Sequence, residues 1–356
     1  MLPAKNNPRS GPQPKRSRYL IIEHNKMFVK RPEDEVLETH LRPHTFEEYI
    51  GQEKVKENLR IIIEAAKKRG DSLEHLLFYG NSGLGKTSLA NVVAQEMGVS
   101  IKRTAGPALE RPGDVASLLT NLAHKEILFI DEVHRVNKTV VEMLYSAMED
   151  HMLHLVLGKG PMARTMEMEL PRFTIIGATT QVGLLPTPFR NRFGAIFQLG
   201  FYTQEAIEQI VRRSSGILHV GVDQDALTII ASRSRFTPRV ANRILKRVRD
   251  FATVEAKGHI TKEVAEQALR FLEIDEFGLE TDDRKILEAI IKRFSGGPVG
   301  IEALAAASSE ETETILDLYE PYLLQLGFME RTPRGRIATK KAYQHLGISR
   351  NQRDLI

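Results

Sequence analysis

Cysteine is absent from the 356 residues, which excludes disulfide scaffolds, thiolate zinc sites and cysteine nucleophiles before any motif is considered. The eleven histidines do not replace it. The closest pair, His151 and His154, has no third ligand at a metal-binding spacing. No run approaches the ~20 apolar residues that a membrane span requires, and the N-terminus lacks the apolar core of a secretory signal. The cytoplasm is therefore the expected compartment. A large charge excess is missing too: 50 Lys and Arg stand against 46 Asp and Glu, a net charge of +4. That small basic balance favours an anionic partner, but only the placement of charge can decide the matter.

What is present is apolar side chain in bulk. At 42% hydrophobic residues the chain can bury large cores, and its length suggests two or three domains. The first eighteen residues carry Lys5, Arg9, Lys15, Arg16 and Arg18 with four prolines and no acid, the composition of a disordered basic arm. Composition leaves three roles open for it: a solubilising tail, an arm that grips DNA phosphates, and an organellar transit peptide. Order is expected from the Arg42-Pro43 step, with Thr45 as a helix cap. Val55, Leu59, Ile62, Ile63 and Ala66 then recur at helical spacing over 53–68.

Short apolar runs follow at 75–79, 100–102, 127–130, 173–178 and 195–199, each with the composition of a buried strand. Helical patterns at 87–97 and 138–148 separate them, so the economical fold is a parallel sheet covered by helices on both faces. From Thr203 strands are expected to stop, and four helices are expected at 203–213, 224–233, 238–256 and 261–272. Three more helices should follow, the last at 309–326 with Ile315, Tyr319, Tyr322 and Leu326 on one face. A basic hairpin turn at 332–336 completes the pattern of a winged helix-turn-helix.

The first apolar run ends in Gly80-Asn81-Ser82-Gly83-Leu84-Gly85-Lys86-Thr87, which fits the phosphate-loop pattern at every fixed position between a strand and a helix. Glycines allow backbone N–H groups to curl round phosphate oxygens, and the helix adds its positive end. Lys86 is suited to the β and γ phosphates and Thr87 to Mg²⁺. The run at 127–130 delivers Asp131 and Glu132 to the sheet edge, where Asp131 would hold the metal through water and Glu132 would deprotonate an attacking water. ATP and Mg²⁺ are the expected cofactors. Thr179-Thr180 ends the next strand, where a hydroxyl would either meet the γ-phosphate or cap a turn. Arg190 and Arg192 share a turn, and spacing does not choose between them as a charge donor across an interface. Arg239 begins a helix behind Thr237-Pro238.

These pieces, with Leu41-Arg42-Pro43 and Tyr49-Ile50-Gly51-Gln52 ahead of the loop, closely resemble the RuvB family of AAA+ ATPases from about residue 33 to 347. The resemblance implies an α/β P-loop AAA+ core with a parallel sheet (33–202), a small helical lid domain (203–275) and a C-terminal winged-helix domain (276–347), flanked by the arm (1–32) and a tail (348–356). It places Leu41, Arg42, Gly83, Gly85, Lys86, Thr87, Ser88, Glu149, Asp150, His151, Tyr202 and Arg239 round the nucleotide, with Thr87 and Asp131 on the metal. Asp131, Glu132 and Thr180 (sensor 1) would act catalytically with Arg192 as the finger reaching into a neighbouring subunit. Arg331 and Arg336 match DNA-contacting wing arginines. The implied activity is ATP-driven branch migration of four-way DNA junctions by a homo-hexamer, with a RuvA-like protein docked on the hairpin at 152–170 and a RuvC-like resolvase as a further partner.

Four positions depart from the family: Asn81-Ser82 replaces the usual Pro-Pro, Gln181 a common arginine, Asn191 an aspartate, and Thr312 an arginine that often meets DNA. The residues alone also admit an ATP-switched, initiator-like DNA-binding protein or an AAA+ clamp loader.

Overall fold

The computed structural model describes residues 38–157 and 164–349. The basic arm, the tip of the hairpin at 158–163 and the end of the tail lie outside them. Residues up to Leu41 form a unit separate from Arg42–Ile356, and all that follows concerns the second unit. There Thr45 closes one turn, its carbonyl accepting from the Tyr49 N–H at 3.1 Å, and the expected helix does not continue from it.

The elements in order are α1 (Glu53–Arg69), β1 (Leu76–Tyr79), α2 (Lys86–Met97), β2 (Ile101–Ala105), α3 (Pro112–Thr120), β3 (Ile127–Asp131), α4 (Lys138–Glu149), β4 (Met152–Leu157), β5 (Arg164–Glu169), β6 (Thr174–Thr179), α5 (Thr187–Arg190) and β7 (Ala195–Gln198). Five strands make one parallel sheet in the order β2-β3-β6-β1-β7. Side chains alternate across a strand, so Leu76, Phe78, Ile127, Phe129, Ile176 and Ala178 enter one core while Leu77, Leu128, Ile130 and Ile175 enter the other. Helices α1 and α2 cover the first face; α3 and α4 cover the second. Phe129 is buried, and truncating it to alanine would cost ~3–5 kcal/mol.

Burial corrects the reading of two strands. β1, β3 and β6 are buried, but β2 and β7 are the sheet edges and expose alternate residues, among them Ile196. Their apolar runs cover one face only.

Beyond the sheet come α6 (Gln204–Ile217), β8 (Gly221–Val222), α7 (Gln224–Ser232), α8 (Pro238–Glu255), β9 (His259–Ile260) and α9 (Lys262–Phe271). Thr203 and Thr261 cap α6 and α9 by accepting backbone N–H bonds at 3.2 and 3.4 Å. Strands do not stop here as expected: β8 and β9 pair in parallel over two residues. Helices α6 to α9 share the apolar core of the α1–α2 face, through residues such as Ile207, Ile230 and Leu245.

A third core follows around α10 (Thr281–Glu288), α11 (Ile301–Ser308), α12 (Glu320–Gln325), β10 (Met329–Thr332), β11 (Gly335–Ala338) and α13 (Lys340–His345). β10 and β11 form the expected antiparallel hairpin. The long helix expected at 309–326 runs from Thr312 to Gln325, starting late because Ser309 ends α11 in the left-handed region, and it widens into a π-helical turn at Ile315–Tyr319 before α12. Pro321 explains the widening, because it lacks an N–H and its ring crowds the carbonyl four residues back. Ile315, Tyr319 and Tyr322 still line one buried face.

Candidate active site

The phosphate loop joins β1 to α2, and three of its glycines have positive φ: Gly80 at 142°, Gly83 at 82° and Gly85 at 96°. Side chains are also excluded by space. A Cβ on Gly85 would lie 2.7 Å from Tyr49 Oη, and one on Gly83 3.1 Å from Arg239 Cβ. No side chain caps the start of α2, so its first N–H groups remain available to an anion. Ser88 lies half-buried in that first turn.

Lys86 is only 6% exposed. Its Nζ donates to the carbonyls of Gly80 at 2.6 Å and Asn81 at 3.0 Å. Burial pushes its pKa down to about 8, against the opposing pull of Glu132 and Asp131. A buried ammonium hydrogen-bonded to two backbone carbonyls is a fitting partner for a polyphosphate. Thr87 Oγ1 lies 3.4 Å from Asp131 Oδ2. Among the described residues no group of three or more His, Asp or Glu gathers as metal ligands; this hydroxyl and carboxylate suit Mg²⁺, which keeps most of its water.

Glu132 follows β3 with φ 46°. Its Oε2 lies 3.4 Å from both the N–H and the hydroxyl of Thr180, and 3.3 Å from His134 Nδ1. The same His134 nitrogen is 2.8 Å from Thr179 Oγ1. His134 is an unanticipated member of the site, and its place next to the carboxylate pair in Asp131-Glu132-Val133-His134 was the available signal.

Two tyrosines brace the loop from below. Tyr202 Oη donates to the Leu84 carbonyl at 3.2 Å and meets Tyr49 Oη at 3.2 Å. Burial drives the Tyr202 pKa up to about 12 and that of Tyr49 well above its ordinary value. Above the loop, Arg239 donates from Nη1 to Ser82 Oγ at 3.1 Å, and its backbone N–H reaches the Gly83 carbonyl at 3.4 Å. Thr237 stands at the N-cap position of α8 without capping it; its hydroxyl turns back towards the Ser234 carbonyl, 3.4 Å away.

Arg192 lies elsewhere. Its Nη2 donates to Glu149 Oε2 at 2.6 Å, its Nη1 to the Pro188 carbonyl at 2.8 Å, and its guanidinium sits 4.4 Å over the Tyr145 ring. Glu149, exposed Asp150 and His151 end α4 on that side, with the His151 ring edge-on to Phe173 at 5.9 Å. Among the described residues no hydrogen bond or ion pair joins this cluster to its own phosphate loop. Arg190 is half-buried, Leu41 ends the separate N-terminal unit, and Arg42 opens the second.

With this geometry, three family models match in succession: the Holliday junction DNA helicase RuvB P-loop domain over 41–199, the RuvB AAA lid domain over 202–275 and the RuvB C-terminal winged helix domain over 276–347. The chain belongs to the RuvB family. It is 58% identical over 323 residues to the Holliday junction branch migration complex subunit RuvB of Chloroflexus aurantiacus, covering 91% of this chain and 92% of that one. The counterpart in Dehalococcoides mccartyi is 57% identical over 316 residues, 89% and 90% of the two chains. The solved RuvB branch migration motor of Thermotoga maritima superposes with a TM-score of 0.81 at 46% identity, over 87% of this chain and 99% of that one. RuvB membership makes the chain a P-loop ATPase with a lid and a winged helix.

In the RuvB wing, Arg331 and Arg336 converge on one carboxylate. Glu320, 1% exposed, accepts from Arg331 Nε at 2.8 Å and pairs with Arg336 Nη2 at 3.1 Å. The Arg331 side chain stays 56% exposed and that of Arg336 only 12%. Arg334, at the turn, is exposed.

Proposed function

We propose that the chain is the ATP-hydrolysing motor subunit that drives branch migration of four-way DNA junctions, working in the cytoplasm as a homo-hexameric ring. The observation that carries the reading is a full set of hydrolytic side chains in one protomer with its arginine finger turned away from them. Backbone N–H groups of Gly83 and Gly85, with Lys86, would hold the phosphates of ATP. Thr87 and Asp131 would hold Mg²⁺, which when bound neutralises phosphate charge, and Ser88 would join the phosphate contacts. Glu132 takes the proton of the attacking water while Thr180 orients it. Arg42 and Tyr202 shape the pocket, and Arg239 lets the lid sense the γ-phosphate. Glu149, Asp150 and His151 belong to the face that presents Arg192 to the next subunit's nucleotide.

Arg331 is the wing's exposed phosphate contact, and Arg336 shapes the wing through Glu320. Such contacts are independent of base sequence, as a motor on any junction requires. The β4–β5 hairpin pairs Leu155 with Met166 on one face, and Met166 is exposed. This apolar face suits a RuvA-like partner, with a RuvC-like resolvase joining the same assembly. The test is conversion of a synthetic four-way junction by the full chain with ATP, Mg²⁺ and the junction-binding partner. ATP-dependent movement of the branch point is expected. Binding without movement would favour an ATP-switched initiator instead.

A further inference from the structure

One segment of the winged helix faces both the wing and the ATPase core. Its first acid, Asp317 in the π-helical turn, accepts from Gln181 Nε2 at 3.1 Å. The backbone N–H of Gln181 donates to Thr179 Oγ1 at 3.0 Å. Thr179 Oγ1 lies 2.8 Å from His134 Nδ1, itself 3.3 Å from Glu132 Oε2. Thr179 and the His134 side chain are buried, so little water competes for the Thr179–His134 hydrogen bond, and Glu132 Oε2 shares the single site on that Nδ1 with Thr179 Oγ1. The second acid, Glu320, lies three residues beyond Asp317 and holds both wing arginines.

We propose that Asp317 is a positioning residue that makes hydrolysis depend on DNA within a single protomer, by holding Gln181 and with it the Thr179–His134–Glu132 chain. The proposal rests on the motor reading above. Without DNA, Asp317 holds Gln181, and Glu132 stays on Thr180 and His134. DNA phosphate competes with Glu320 for the exposed Arg331, the 315–325 segment shifts, Gln181 is released and Glu132 turns to water. Such coupling needs an element with two discrete arrangements. The π-helical turn, one residue wider than an α-helical turn, supplies it. The Gln181–Asp317 bond is a single neutral amide donor to a carboxylate, with one contact to exchange when the segment moves.

The test measures kcat and KM for ATP with the full chain, with and without duplex DNA, alongside DNA affinity across salt, for Asp317→Ala, Gln181→Ala and the double variant. In Asp317→Ala, kcat without DNA is expected to rise and the stimulation by DNA to shrink by about two- to thirtyfold, with KM and the salt dependence of DNA binding unchanged. Gln181→Ala should behave alike, and the double variant should do no more than either single. Asp317→Asn, which keeps an accepting oxygen, should retain most of the stimulation. An unmoved stimulation ratio in Asp317→Ala, or additive effects in the double variant, would overturn the link alone. A parent chain whose hydrolysis ignores DNA would overturn the motor reading, and the link with it.

Discussion

Arg192 is fastened to Glu149 by a 2.6 Å hydrogen bond on a surface that holds none of its own phosphate loop. On the proposed reading, a guanidinium so placed would serve a nucleotide bound by another copy. Arg192→Ala should lower hydrolysis ~10³- to 10⁵-fold, the effect of removing such a finger, while ATP binding stays roughly unchanged. Steady-state turnover and a fluorescent-nucleotide titration check the two halves. Glu149→Gln only loosens the aim of Arg192, so it should cost a few-fold, in keeping with a half-exposed ion pair.

The depressed pKa of Lys86 gives nucleotide binding a pH dependence. Below about 8 the ammonium is charged and available to phosphate. Above that value the free chain carries a neutral amine that must regain its proton on binding. Affinity for ATP should therefore fall about tenfold per pH unit above 8, with proton uptake visible by calorimetry in buffers of different ionisation heat. Without nucleotide the sign reverses for stability: the fold binds fewer protons than the unfolded chain between about 8 and 10.5, so this group's contribution rises with pH across that window.

Ser82 offers Arg239 a hydroxyl that the family's usual proline would not. Without nucleotide this bond holds the guanidinium, and an arriving phosphate must compete with it. Ser82→Ala should tighten ATP binding about two- to fivefold, the range of one partly exposed hydrogen bond. Weaker binding in that variant would show that the hydroxyl helps the phosphate instead.

The joint between lid and winged helix is a buried ion pair. Arg235, 5% exposed, donates to Asp283 and lies 5.4 Å from the Tyr322 ring. Asp283→Ala removes the buried partner and leaves Arg235 to the more exposed Glu280, 3.5 Å away, so it should cost up to ~3–5 kcal/mol in thermal or denaturant unfolding. The double change Arg235→Met, Asp283→Leu should be milder, because it removes the charge along with its partner.

Much of this architecture was legible because its signals are local. The phosphate loop, Asp131-Glu132 and the helical lid follow from glycine placement and from periods of two and 3.6 residues. Long-range relations were not legible. β7 carries an apolar run like that of β3, and only the strand order makes it an edge, whereas Lys102 and Arg103 already mark β2 as one. Pro321 signals a disturbed turn four residues back, but not that the disturbance is a π turn whose Asp317 reaches Gln181. Tyr49 and Tyr202 meet beneath Leu84 from 153 residues apart, and Glu320 reaches Arg331 across the wing. The separation of Arg192 and Glu149 from Lys86 depends on the sheet's topology.

The most direct test mixes two inactive proteins. Lys86→Ala lacks the phosphate grip but keeps Arg192; Arg192→Ala keeps the grip but lacks the finger. ATP hydrolysis should reappear on mixing, because a pocket of the second then meets the arginine of the first. Hydrolysis that stays absent at every mixing ratio, or an Arg192→Ala protein that is active alone, would contradict catalysis shared between neighbouring subunits.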